Sequence, residues 1–107
     1  MHLAGMWEFP GGKLHPGEDP SECVRREVME ELALQIEPHT PLAPSLHHYP
    51  GKSVRLVPFV CRLIGGELAL REHERAIWLA REGLSGLNWC PADLPVLREY
   101  LEFRAGH

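Results

Sequence analysis

The sequence predicts an α+β fold, one sheet with helices packed on it. Three observations predict it. A helix with a strong start signal opens at Asp19-Pro20, an alternating apolar run spans Val54 to Ile64, and an amphipathic segment closes the chain from Ala92 to Phe103. Helix-period and strand-period patterns thus alternate along a chain long enough for a single core, and residues 1–107 are read as one domain.

Residues 1–19 read as extended chain and loop, because Phe9-Pro10-Gly11-Gly12 and Pro16-Gly17 are breaker clusters. The first helix is expected from Pro20 to Leu32. Asp19 suits the N-cap, Pro20 the first helical position, and Glu22 completes a capping box; Val24, Val28 and Leu32 form its buried stripe. Pro38, Pro41 and Pro44 forbid helix in the following stretch, which is expected to be loop with a short strand near Leu46–Tyr49. Val54–Ile64 reads as one strand, with Val57, Phe59, Cys61 and Leu63 on one face and Pro58 marking an edge or bulge. Gly65-Gly66 is expected to turn the chain and Ala76–Leu79 to form another short strand. In the last helix Leu94, Leu97, Tyr100 and Leu101 should point inward.

Composition narrows the function. An apolar fraction of 44% and a charged fraction of 24% are those of an ordinary soluble globular protein. No apolar run reaches the ~20 residues of a membrane span, and the N-terminus lacks the basic and apolar regions of a secretion signal. Cys23, Cys61 and Cys90 are odd in number and lack C-x-x-C spacing, which fits neither a disulfide framework nor a zinc knuckle and suggests a reducing, cytoplasmic setting. A net charge of −4 without a Lys/Arg cluster argues against stable nucleic-acid binding. It leaves open a phosphate-bearing substrate, for which a bound cation can supply the positive charge.

The chemistry concentrates on the first helix. Glu27, Glu30 and Glu31 stand at i, i+3 and i+4, so they share one face and repel one another. They also lie toward the helix C-terminus, where the macrodipole disfavours anions. A hard divalent cation such as Mg²⁺, which takes oxygen ligands, removes that conflict. A solvated acidic face is the plainer alternative, and Arg26 has one too, as a helix-surface partner for Glu22 and Glu30.

Gly12, five residues, Glu18, seven residues, then Arg26-Glu27-Val28-Met29-Glu30-Glu31-Leu32-Ala33-Leu34 resembles the box of the Nudix hydrolase family, with Ala33 where the family has glycine. Trp7-Glu8-Phe9-Pro10-Gly11-Gly12-Lys13 and Leu87-Asn88-Trp89 through Pro95 are similar to its MutT-like branch, which includes 8-oxo-dGTP diphosphatases and CTP pyrophosphohydrolases. The resemblance implies the Nudix fold, an α/β/α sandwich with a mixed sheet between helices. It implies hydrolysis of a nucleoside triphosphate, oxidised or CTP-like, to the monophosphate and pyrophosphate, with Mg²⁺ or Mn²⁺ as cofactor.

By the same resemblance Glu27, Glu30, Glu31 and the Gly12 carbonyl are the metal ligands, with a carboxylate acting as base toward water. Arg26 orients Glu27, and Glu18 supports the loop or simply favours the helix start. Glu72, with Glu74 as competitor, corresponds to an extra carboxylate before the last strand that contacts metal or water, or both belong to a solvated loop. Asp93 corresponds to a residue that reads a base edge, or is a helix-start charge. Trp7, Phe9 and Phe59 stack on a base or belong to the core; Lys13 and Arg55 meet phosphate; His47 and His48 carry no assigned role.

Two departures qualify this reading. Ala33 should cost ~1 kcal/mol in a left-handed helix end, or change the turn. The family has one or two strands before the Trp-Glu-Phe-Pro segment, and only Met1 to Met6 precede it here, which implies an N-terminally shortened sheet. A fragment or internal-start version of a longer protein, a homodimer that completes the sheet, and loss of base discrimination are the competing consequences; self-association is the one expected. The alternatives to the enzyme are a non-catalytic module that recognises nucleotide or damaged DNA, and an inactive truncated remnant.

Overall fold

The computed structural model describes residues 6–70 and 76–105. In chain order these form α1 (Pro20–Leu32), β1 (Leu34–Pro41), β2 (Ser45–Tyr49), β3 (Lys52–Leu56), β4 (Phe59–Gly66), a 3₁₀ turn at Arg81–Gly86, a second at Pro91–Asp93, and α2 (Leu94–Ala105). They group into two compact units. One holds Pro10–Thr40 and the described residues of Phe59–Trp78; the other holds Pro41–Pro58 with the described residues up to Phe9 and from Leu79 onward.

The α1 unit is built as its start signal demands. The Asp19 carboxylate accepts the Glu22 N–H at 3.1 Å, and the Glu22 carboxylate accepts the Asp19 N–H at 3.1 Å. This reciprocal pair satisfies two of the helix's orphan donors. At the other end Ala33 takes φ 58°, ψ 27°, and its N–H donates to the Met29 carbonyl. The left-handed helix end therefore forms without glycine, at the steric cost an L side chain carries there. The Ala69 N–H returns to the Leu32 carbonyl at 2.9 Å and satisfies another terminal group.

β1 pairs with β4. Gly66 meets Ala33 and Leu34 while Gly65 meets Gln35, so the strands run antiparallel. With φ 90° and the Ala33 carbonyl where a Cβ would stand, position 66 admits little but glycine. Val28, Leu32 and Leu34 form the core here, with Val24, Ile36 and Ala76 packed against it.

The α2 unit contains the antiparallel hairpin β2–β3, in register from Ser45↔Leu56 to Tyr49↔Lys52. A parallel bridge joins Trp7 to Trp89 through Trp7 N–H to Asn88 O and Cys90 N–H to Trp7 O, both 2.8 Å. The hairpin is tied to the approach of α2, since the Ala92 N–H donates to the Tyr49 hydroxyl at 3.1 Å. The Ala43 N–H donates to the Glu99 carboxylate at 2.8 Å. Leu42, Trp89, Cys90, Ala92, Val96 and Leu97 are buried.

Several expectations are corrected. The stretch after α1 is a strand, β1, and not mainly loop; among the described residues it pairs with β4 alone, and a strand with one unpaired side accommodates proline. The run Val54–Ile64 is two strands interrupted at Val57-Pro58, where the Pro58 carbonyl accepts the Leu42 N–H. Its expected apolar face is only partly buried, since Val57 and Leu63 are exposed. Gly65 and Gly66 end β4 rather than turning the chain, and Ala76–Leu79 forms no strand. In α2 Val96 and Leu97 are buried and Tyr100 and Leu101 half-buried, while Leu94, the first residue of the helix, is exposed. Cys23, Cys61 and Cys90 are free thiols, the first and last of them buried.

Candidate functional site

The site is assembled around one guanidinium. Arg26 leaves α1 beside the loop Gly12–Glu18, whose Pro16-Gly17 turn (Gly17 φ 79°) lets the Glu18 N–H donate to His15 O at 3.0 Å. Glu18 then returns its carboxylate to the helix. Arg26 Nε donates to Glu18 Oε2 at 2.7 Å and Nη2 to Oε1 at 2.9 Å, a fork-to-fork pair. Arg26 Nη2 also donates to the Lys13 carbonyl at 3.0 Å. The Arg26 pair, and secondarily the His15 N–H, hold the Glu18 carboxyl down at about 2. Glu18 in turn, with Glu27, raises Arg26 above its ordinary value, so the ion pair persists across the physiological range.

Arg26 Nη1 serves the helix carboxylates. It donates to Glu27 Oε1 at 2.7 Å and to Glu30 Oε2 at 3.2 Å, so two of the three glutamates converge on one nitrogen. The Glu27 carboxylate also occupies the space a Cβ on Gly12 would fill. Only glycine at position 12 lets the loop backbone and that carboxylate come together. The environments of the three differ: the Glu30 side chain is 55% exposed, that of Glu27 14%, and Glu31 is buried at 7%. Among the described residues no three His, Cys, Asp or Glu side chains close on a common point. The arrangement instead holds hard oxygen donors around Arg26 and the Gly12 backbone, the donor chemistry that Mg²⁺ or Mn²⁺ accepts.

Beneath this loop lies Cys23, which sequence reasoning passed over. Its Sγ–H donates to the Gly12 carbonyl at 3.6 Å, and Arg26 Nη2 approaches the sulfur at 3.7 Å. Burial, reinforced by the Glu18 charge, pushes the thiol above its ordinary value, so it remains protonated at neutral pH. The signal in the sequence was faint: a cysteine three before Arg26, one helical turn away on the same side.

Asp93 belongs to the other unit. It ends the 3₁₀ turn before α2, is 7% exposed, and accepts the Phe9 N–H at 3.3 Å. Burial pushes its carboxyl up to about 6, the Phe9 N–H opposes this, and the Glu8 charge adds to it. Phe9 stacks on Trp89 with centroids 4.5 Å apart, so the Phe9 ring packs internally on at least one side. Trp7 is half-buried in its bridge to Trp89.

Of the remaining candidates, Lys13 is exposed and uses its carbonyl toward Arg26; Phe59 is half-buried at the start of β4; Arg55 is exposed on β3 opposite Leu46. His47 packs on Tyr49, and His48 meets the Ser53 hydroxyl at 2.7 Å. Glu72 and Glu74 lie outside the described residues.

This geometry coincides with a family match: the model of the NUDIX domain matches residues 1–104. The chain belongs to the Nudix hydrolase family. It is 30% identical over 102 residues to the CTP pyrophosphohydrolase of Escherichia coli, covering 95% of this chain and 76% of that protein. It is 29% identical over 96 residues to the 8-oxo-dGTP diphosphatase of the same organism, covering 90% of this chain and 74% of that one. Among solved structures, that of the E. coli ORF135 protein superposes with a TM-score of 0.83 at 30% identity, covering all of this chain and 76% of the other. The Nudix fold is thereby established, and the chain is a Nudix hydrolase.

Proposed function

We propose that this Nudix hydrolase cleaves a nucleoside triphosphate to the monophosphate and pyrophosphate, with a divalent cation, Mg²⁺ or Mn²⁺, held by Glu27, Glu30, Glu31 and the Gly12 carbonyl. The observation that carries this reading is the convergence of Glu27 and Glu30 on Arg26 Nη1, with Glu27 against the Gly12 backbone. Such a cation neutralises phosphate charge and makes water a better nucleophile at neutral pH. The rest is the work of the chain's own groups. Arg26 orients Glu27, Glu18 anchors Arg26, and Glu30 is exposed enough to turn without disturbing packing. Glu31, buried on the same helix face, is the carboxylate we assign both to the ion and to the water proton. Glu72 is proposed as an additional carboxylate.

For the base, we propose Asp93 as the group that reads its edge. A buried carboxyl near 6 can present either an acceptor or a donor close to neutrality. Trp7 and Phe59 are proposed to contribute stacking and Lys13 phosphate contact, whereas Phe9 is proposed to act mainly through its packing on Trp89. The names of the relatives support a CTP-like or oxidised purine nucleotide as substrate. We further propose that residues 1–107 act as one domain in the cytoplasm. Homodimerisation is proposed from exposed Leu63, Ile64 and Trp78, the last 65% exposed, surface apolar side chains that association would cover. Among the described residues no helix is long and apolar enough to cross a membrane.

The test is pyrophosphate release from a panel of normal and oxidised nucleoside triphosphates, with and without Mg²⁺, beside Glu31→Gln. Metal-dependent release that falls at least ~100-fold in the variant is expected. Unchanged turnover in a folded Glu31→Gln protein would sink the metal-site assignment. Light scattering that gives a monomer would remove the dimer.

A further inference from the structure

The thiol of Cys23 has no part in the reaction as described so far, yet it is buried against the loop that carries Gly12. Its sulfur lies between two members of the site, donating to the Gly12 carbonyl at 3.6 Å and approached by Arg26 Nη2 at 3.7 Å. Arg26 is itself fixed by Glu18 through two hydrogen bonds. The result is a chain of polar contacts, Glu18 to Arg26 to Cys23 to Gly12, in which each link polarises the next. A sulfur that accepts from a guanidinium is a better S–H donor than an isolated thiol, although a thiol remains a weak donor.

We infer that Cys23 is a positioning residue, which holds the Gly12 carbonyl in place for the divalent cation. A carbonyl oxygen has two lone pairs, so the thiol occupies one and leaves the other for an ion. The loop needs such a restraint. Position 12 is glycine because the Glu27 carboxylate fills the space of a side chain, and glycine leaves the backbone most free to reorient. The Arg26 bond to the Lys13 carbonyl fixes the following peptide, and the Cys23 bond fixes the one at issue. The inference rests on the metal reading proposed above.

Two readouts test it in the full chain. The sequence contains two Gly–Lys links, Gly12–Lys13 and Gly51–Lys52. Carbonyl-¹³C glycine with ¹⁵N lysine therefore gives two carbonyl–nitrogen cross-peaks, and the hairpin-turn link serves as an internal reference. In Cys23→Ala the Gly12 signal should move, with that of Gly51 unchanged, and Mn²⁺ affinity measured by titration calorimetry should weaken about tenfold, the low end of the range for residues supporting metal ligands. Cys23→Ser, which keeps a donor, should stay within about twofold of the parent. If Cys23→Ala leaves the Gly12 signal and the Mn²⁺ affinity unchanged, the inference is wrong. If Cys23→Ser falls as far as Cys23→Ala while circular dichroism shows an intact fold, packing and not the hydrogen bond is responsible, and the inference is again wrong. A parent protein that binds no Mn²⁺ overturns the metal reading and this inference together, whereas equal binding by parent and Cys23→Ala overturns this inference alone.

Discussion

Glu18 and Asp93 are both carboxylates just ahead of an α-helix, and their protons behave oppositely. Glu18, in the α1 unit, faces the Arg26 fork and is held at about 2; Asp93, in the α2 unit, is buried with one N–H for company and rises to about 6. Position before a helix therefore does not decide ionisation. A fixed cation stabilises the charged form, and removal from water without one destabilises it. The α1 unit keeps Glu18 charged by facing it with a guanidinium. The α2 unit keeps a carboxyl near the point where it can act as donor or acceptor.

The largest break in this contrast is Arg26→Gln. Pyrophosphate release should fall by about 10- to 100-fold, the range for loss of a group that orients metal ligands. Carbon-detected titration should then show the Glu18 carboxyl returning from about 2 toward 4.5. Gly12→Ala should be nearly as costly to activity, because its Cβ displaces the Glu27 carboxylate. The displaced group is the mobile end of a side chain, so thermal unfolding should scarcely change.

Asp93→Asn comes next. The folded-state value of Asp93 is raised, from 3.8 to about 6, so the native protein holds the extra proton between those limits. Stability therefore falls as pH rises through that window, and the full cost remains above it. Two pH units correspond to about 2–3 kcal/mol. Denaturation of Asp93→Asn should be flatter between pH 4 and 6 and should show most of that amount as added stability at pH 7. Glu18 works in the reverse sense. Its depressed value contributes stability above 4.5 that is lost as pH falls toward 2, and Arg26→Gln should abolish that slope.

The smallest expected effect is that of Ala33→Gly. It relieves a left-handed residue at φ 58° and should raise stability by about 1 kcal/mol, read by urea denaturation, with activity unaltered.

Much of this was legible in the chain. The limits of α1, its capping box and the shared face of Glu27, Glu30 and Glu31 follow from neighbours within four residues, where helix geometry alone sets the spacing. The box from Gly12 to Leu34 was likewise sufficient to indicate the family, because its spacing is itself the signal. Propensity misread β1, since Pro38 and Pro41 argue against helix but do not by themselves distinguish loop from a strand paired, among the described residues, on one side. It also joined β3 to β4 across Pro58, because alternation continues where the hydrogen bonding does not.

What tertiary structure alone decided are the relations between distant residues. Glu18 and Arg26 are eight apart, Gly12 and Cys23 eleven, and Phe9 and Asp93 eighty-four. None of these pairings has a period in the sequence. Each depends on a loop returning its backbone or side chain to a helix or turn, and two of them, Glu18 with Arg26 and Phe9 with Asp93, set the electrostatics of a group whose identity was plain from the start. Sequence determined which acids and bases are present and where α1 lines them up. Folding determined which of them keep their charge, because that depends on the water removed and the partner supplied.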